Sequence, residues 1–136
     1  MTSIYSETDP ETNQDPRHQK RIHKLKQLFA WQFLQEQDAA PEPSDFQEIQ
    51  DIIASLEELD RDIQEVASER PLSDINQVDL SVLRLILHEA RNSNTPEPVL
   101  IDEGVELAKE FSLGNSHKFV NAVLAKLLDR GTPQSA

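Results

Sequence analysis

The sequence predicts an all-α fold, six or seven helices in two small helical bundles around a modest aliphatic core. Three observations carry this. Apolar residues recur at three- and four-residue spacing in every segment long enough to test, and nowhere alternate as a half-buried strand requires. The 136 residues contain only 3 Gly, too few for the many tight turns of an all-β chain. Hydrophobic residues make up 37% and aromatics 5%, so Leu, Ile and Val must build the core. The length suits one domain rather than two. The expected division is an acidic disordered tail over 1–16, a helical domain over 17–130 and a short flexible tail over 131–136.

Residues 1–16 are polar, acidic and poor in apolar side chains. Asp15-Pro16 reads as a helix start, with Asp as N-cap and Pro at the first helical position. The first helix should reach about Glu36, with Ile22, Leu25, Leu28, Phe29 and Phe33 as its apolar stripe. The prolines of DAAPEPSD mark a loop, and Ser44 with Gln47 fits a capping box. Ile49, Ile52, Ile53 and Leu56 then form a second stripe, and Leu59, Ile63, Val66 and Ala67 a third. A break between the two near Glu57-Glu58 is left open by the pattern. Pro71 disfavours helix at Arg70.

Asn76 can cap the next helix, NQVDLSVLRLILHEARN, which is apolar on most of its circumference and is therefore expected to be central and buried. Thr95-Pro96 restarts the chain, and Leu100, Gly104, Leu107, Ala108 and Phe111 continue in helical register. Gly114 suits a left-handed C-terminal cap. Asn115 or Ser116 can cap a last helix whose stripe is Val120, Val123, Leu124, Leu127 and Leu128, closed by Gly131 and Pro133.

Charge is distributed unevenly. The chain holds 13 Lys+Arg against 25 Asp+Glu, a formal net charge of -12, which argues against a simple basic wrapper of nucleic acid. Yet residues 17–26, RHQKRIHKLK, sum to +5, and the rest of the chain to -17. Residues 36–65 alone hold eleven acids and one base, Arg61. Arg17, Lys20, Arg21 and Lys24 recur at three and four residues and so share a helix face, and His18 and His23 in the same segment could add positive charge below neutrality. Cations near a helix N-terminus oppose the helix dipole, so helix stability does not choose this placement. The patch reads either as a solvated helix start or, the reading favoured here, as a surface for a partner, of which phosphate is the commonest kind.

Catalytic patterns are weak. The absence of Cys removes disulfides, thiolate metal sites and thiol nucleophiles, and fits a reducing compartment. His88-Glu89 has no second His four positions on, and His18, His23, His88 and His117 lack metal-ligand spacing. Asp102, Glu103 and Glu106 read as solvated acids favoured by a helix N-terminus. The reading is no enzyme, no cofactor, no metal and no small-molecule substrate. No basic-then-apolar leader and no run as long as a membrane span is present, so no membrane association and a cytoplasmic location are expected.

Three stretches carry a resemblance. Val78-Asp79 through Leu83-Arg84 and Glu89, Val99 through Lys109, and Ser116 through Leu124 follow a V-D-x-x-x-L-R-x-x-x-x-E helix, a V-x-I-N-E-x-x-E-L-A-K helix and an S-x-K-F-V-N-x-V-L helix in order. Together they resemble the NusB family of bacterial transcription antitermination factors. Arg17, Arg21, Leu28 and Trp31 match that family's Arg-rich first helix, and the resemblance covers roughly residues 17–128.

The resemblance implies binding of a single-stranded boxA-type RNA together with a small-subunit ribosomal protein, NusE. It also implies action within the transcription elongation complex in support of ribosomal RNA synthesis. It implies RNA contact by Arg17, His18, Lys20, Arg21 and Lys24, with His117 and Lys118 on the same functional surface. It assigns Glu89, Asn115 and Ser116 to the partner protein. The chain departs from the family at Asp102 (usually Asn), Gly104 (usually Ala), His88 (commonly Tyr) and Phe29 (usually Tyr). The alternative is a protein-interaction module of the same fold that has lost RNA binding.

Overall fold

The computed structural model describes residues 15–39 and 42–131. The predicted tails therefore lie outside the described residues, save Asp15, Pro16 and Gly131. Helix α1 spans Pro16–Glu36. As the sequence predicts, the Asp15 carboxylate caps it, accepting from Arg17 N–H at 2.9 Å. At its other end Asp38 adopts φ 58°. Asp38 N–H donates to Gln35 O at 3.1 Å and Ala39 N–H to Leu34 O at 3.0 Å, a Schellman closure in which Asp stands where Gly is usual.

The predicted Ser44/Gln47 capping box does not form. The chain begins to wind one residue earlier, at Pro43, as a 3-10 segment Pro43–Ile49 whose cap position, Glu42, makes no side-chain hydrogen bond. Phe46 breaks this segment with φ −128° because its ring is drawn into the core. Helix α2, Gln50–Ala54, is a single turn and a half. It ends at Ser55 (φ −102°, ψ 7°), and α3, Leu56–Val66, starts there, so the break left open near Glu57-Glu58 falls earlier. The Gln64 side chain then closes the following loop, donating to Ala67 O (3.0 Å) and Arg70 O (2.9 Å) and accepting from Leu72 N–H (3.0 Å).

Helix α4, Gln77–Asn92, is capped by Asn76, whose side chain accepts from Val78 and Asp79 N–H at 2.8 and 3.3 Å. Every residue from Asp79 to Leu87 is buried, as a centrally placed helix requires. α5, Glu97–Phe111, and α6, Ser116–Gly131, follow. Gly114 between them takes the left-handed conformation expected (φ 60°), two residues beyond the helix cap at Ser112. The described residues thus form six α-helices.

α4 packs against α1, α2 and α3 and also against α5 and α6, so the two groups of helices share it and their buried side chains form one connected core. Polar struts cross that core at its edge. Arg84 on α4 binds Asp60 on α3 through two hydrogen bonds (2.8 and 2.7 Å) and donates to Gln32 on α1 at 2.7 Å. Gln32 continues to Gln77 at 2.7 Å, and Gln77 to Glu36 at 2.9 Å. This network explains one departure from the predicted α1 stripe. Gln32 is buried, while Phe29 and Phe33 are 40% and 53% exposed. A fully partnered amide can take an inward position, and its recruitment leaves Phe33 facing out.

Candidate functional site

The +5 segment forms the first half of α1, and helical geometry divides it. His18, Arg21, Ile22, Leu25 and Leu28 repeat at three and four residues and are buried. Arg17 and Lys20 are exposed and Lys24 partly so, one step around the helix. Arg21 stands on the border of the two faces. His23 is exposed, 3.6 Å from Glu48, and Lys26 lies over the Phe111 ring at 5.8 Å from its centroid.

Arg21 and His18 are buried and partnered within the protein. Arg21 is 7% exposed and forms a two-point ion pair with Glu89 of α4, Nε to Oε1 at 2.8 Å and Nη2 to Oε2 at 2.6 Å. Its Nη1 is 3.3 Å from Glu103 of α5. His18, 6% exposed, has Nδ1 2.9 Å from Glu103 and Nε2 3.7 Å from Glu110. Two of the predicted RNA-binding residues therefore fasten α1 to α4 and α5. Glu103, read from sequence as a solvated acid, is the half-buried centre of that junction.

The Glu89 carboxyl is held below its ordinary range. Burial opposes its ionisation, but the hydrogen bonds and charge of Arg21, a hydrogen bond from Thr95 and the charge of Lys24 together outweigh it. Arg21 is held correspondingly more basic, chiefly by its hydrogen bond to Glu89. Glu89 thus has an intramolecular partner, whatever it meets on another protein.

Arg17, Lys20, Arg21 and Lys24 line one side of an open cleft of about 350 Å³. Leu85, His88, Glu89, Asn92 and Ser93 from α4 and its end line the other, with Asp51 from α2. No ion pair among the described residues engages Lys20 or Lys24. Arg17 has only a long, exposed contact to Asp15 at 3.8 Å. Four cations face two carboxylates here, and Arg21 with Glu89 cancel, so the cleft carries a positive excess inside an acidic protein. His88 at its wall titrates below its ordinary value, chiefly because burial disfavours the imidazolium, with Lys24 adding to the effect and Asp51 and Glu89 opposing it. At neutral pH it presents a neutral ring.

His117 and Lys118, at the start of α6, are not among the cleft's lining residues. His117 and Ser116 are partly buried; Asn115 and Lys118 are exposed. Asn115 O accepts from Lys118 N–H at 2.9 Å. Sequence reasoning did not find Asp51, Leu85, Asn92 or Ser93, which come to the cleft from other helices and carry no local signal. No His/Cys/Asp/Glu group among the described residues could hold a metal ion, and no described helix is long and apolar enough to cross a membrane.

Comparison with known proteins bears on the whole fold. The NusB family model matches residues 11–129. The transcription antitermination protein NusB of Vibrio campbellii is 43% identical over 76 residues, 55% of this chain and 48% of that protein. The protein of the same name from Vibrio cholerae is 41% identical over 93 residues, 65% of this chain and 58% of that protein. The chain spans about half the length of the curated relatives it matches. Among solved structures, T. maritima NusB superposes with a TM-score of 0.75 at 26% identity, covering 89% of this chain and 96% of that one.

Proposed function

The chain belongs to the NusB family, and we propose on that footing that it is a non-enzymatic, RNA-binding transcription antitermination factor. Its ligand in this reading is a single-stranded boxA-type RNA, taken up together with the ribosomal protein NusE within the elongation complex in support of ribosomal RNA synthesis. The observation that carries the reading is the α1–α4 cleft, lined by an exposed Lys20 and a partly buried Lys24 that have no ion-pair partner among the described residues.

The roles divide by burial. Arg17, Lys20 and Lys24 contact phosphates, which positions a strand without reading it. His88, Asn92 and Ser93 offer a neutral polar wall to bases or riboses. Arg21 and His18 act through position, holding α1 against α4 and α5 so that the lysines stand in line. Glu89 holds Arg21. Lys118 and His117 extend the RNA surface onto α6, and Asn115 and Ser116 meet the partner protein. All of this lies within one NusB-like domain over residues 17–130.

A titration with boxA-type RNA at low salt, with and without NusE, tests the proposal. Binding that strengthens when NusE is added is expected; absence of binding in both arms overturns it. Replacing Lys20 and Lys24 with Ala should lower the slope of log affinity against log salt by about 0.7 for each phosphate that is no longer neutralised. The internal use of Arg21 and the presence of Asp51 in the cleft favour a second reading, a protein-interaction module without RNA binding. NusE capture with an unchanged salt slope in the Lys20/Lys24 variant would select it.

A further inference from the structure

The basic cleft contains a carboxylate that phosphate binding does not explain. Asp51 of α2 lines it together with Lys20 and Lys24. Asp51 is exposed, and its side chain makes no hydrogen bond or ion pair among the described residues, so it neutralises neither lysine. A groove for phosphates alone is weakened by a negative group within it. A ligand that carries both phosphate and N–H donors uses both signs. The α4 wall can accept as well. Asn92 Nδ2 donates to His88 O at 2.8 Å, which leaves Asn92 Oδ1 open to a donor. The neutral His88 ring keeps one nitrogen as an acceptor. Leu85, His88 and Asn92, three and four residues apart on α4, share a face, and Leu85 supplies an apolar floor. The cleft thus sets donors along α1 against acceptors on α2 and α4, and its volume of about 350 Å³ has room for one nucleotide.

Among the bases, guanine alone carries two adjacent donors, N1–H and N2–H2, on its Watson–Crick edge, an arrangement that a carboxylate accepts with both oxygens. Uracil sets one N–H between two carbonyls, which a carboxylate repels. Adenine and cytosine set one amine beside a bare ring nitrogen. We propose that Asp51 makes this side of the cleft a guanine subsite, accepting from N1–H and N2–H2 of an unpaired guanine whose 5′-phosphate is held by Lys20 and Lys24. The ligand chemistry is a guanine nucleotide, free or within a strand. Its place within RNA rests on the function proposed above; the subsite itself does not. In a strand, the lysines position the backbone and Asp51 reads one base.

Two arms test this. Guanosine monophosphate titrated into the full chain at low salt should shift the amide signals of Asp51, His88 and Asn92. Inosine monophosphate, which lacks only the N2 amine, should need about five- to thirtyfold more. Asp51→Asn should bring the two nucleotides level. Asp51 is exposed, so this variant keeps its fold, which an unchanged thermal midpoint checks. In the second arm each guanosine of boxA-type RNA is replaced by inosine in turn. One replacement should weaken binding by a similar factor in wild type and leave Asp51→Asn unaffected. That result with a silent free-nucleotide arm places the guanine in the strand. Discrimination between the free nucleotides in a protein that binds no RNA keeps the subsite, assigns it to a free nucleotide and overturns the RNA reading. RNA binding with no guanine preference in either arm, or a preference that survives Asp51→Asn, overturns the proposal and leaves the RNA reading standing. NusE capture that weakens in Asp51→Asn while guanine and inosine bind alike makes Asp51 a docking point for a partner's cation, and overturns the proposal too.

Discussion

Glu89 and Arg21 meet at two hydrogen bonds of 2.8 and 2.6 Å where neither is well solvated. Removing one charge from such a pair leaves the other uncompensated. Glu89→Gln is therefore expected to cost about 2–4 kcal/mol, read from urea unfolding at pH 7. The folded-state pKa of Glu89 is depressed from 4.5, so its contribution is fully present above that value and is lost as pH falls through the folded one. Wild type should accordingly lose more stability than Glu89→Gln between about pH 5 and pH 3. His88 works in the same direction for the opposite charge type. Its folded pKa lies below 6.5, so the unfolded chain takes up a proton first and stability falls as pH drops below 6.5. A His88→Gln chain should show a flatter profile from about pH 7 to pH 5, and an imidazole titration by NMR should place His88 below 6.5. At this scale the sequence showed which residues carry charge. It could not show that Arg21, one helical step from Lys20 and Lys24, turns into an ion pair, because Glu89 and Glu103 lie 68 and more residues away.

The helices differ in how far their own sequence specifies them. Asp15 and Asn76 cap α1 and α4 as local chemistry dictates, and the apolar run of α4 is buried as its composition requires. Where two elements compete for one position, local rules failed. Gln32 took the inward place from Phe33 through its bonds to Arg84 and Gln77, and Phe46 broke the turn that a capping box would have started. Gly104 is the informative case on α5. Its cost of about 1 kcal/mol in a helix interior is visible in sequence. Its reason is not: a Cβ there would stand 2.4 Å from Leu124 Cδ1 of α6 and 3.4 Å from Ile86 Cγ1 of α4. Leu124 and Ile86 are fully buried and have little room to yield. Gly104→Ala should thus destabilise by about 1–2 kcal/mol despite its gain in helix propensity, read as a lowered thermal midpoint.

Across the whole molecule, a net charge of -12 surrounds one positive cleft. Under the proposed function, the acidic surface would disfavour RNA away from the basic residues and so lower nonspecific attachment. Glu42, Asp45, Glu57 and Glu58 are exposed acids outside the cleft lining. Replacing them together with Gln or Asn should raise affinity for unrelated RNA more than for boxA-type RNA, and a binding titration that finds discrimination unchanged would refute this role.

The all-α class, the caps of α1 and α4, the central place of α4 and the uneven charge map were determined by the sequence alone, because each arises from neighbours within one or two helical turns. The tertiary structure decided which of five clustered bases remain available and which fasten helices together. It also decided where the chain breaks at Ser55, why position 104 is Gly and which α4 residues face α1. The physical reason is the range of the interactions. Helix propensity and capping act over a few residues, whereas burial and ion pairing are settled by side chains that meet only after α1, α4 and α5 have packed.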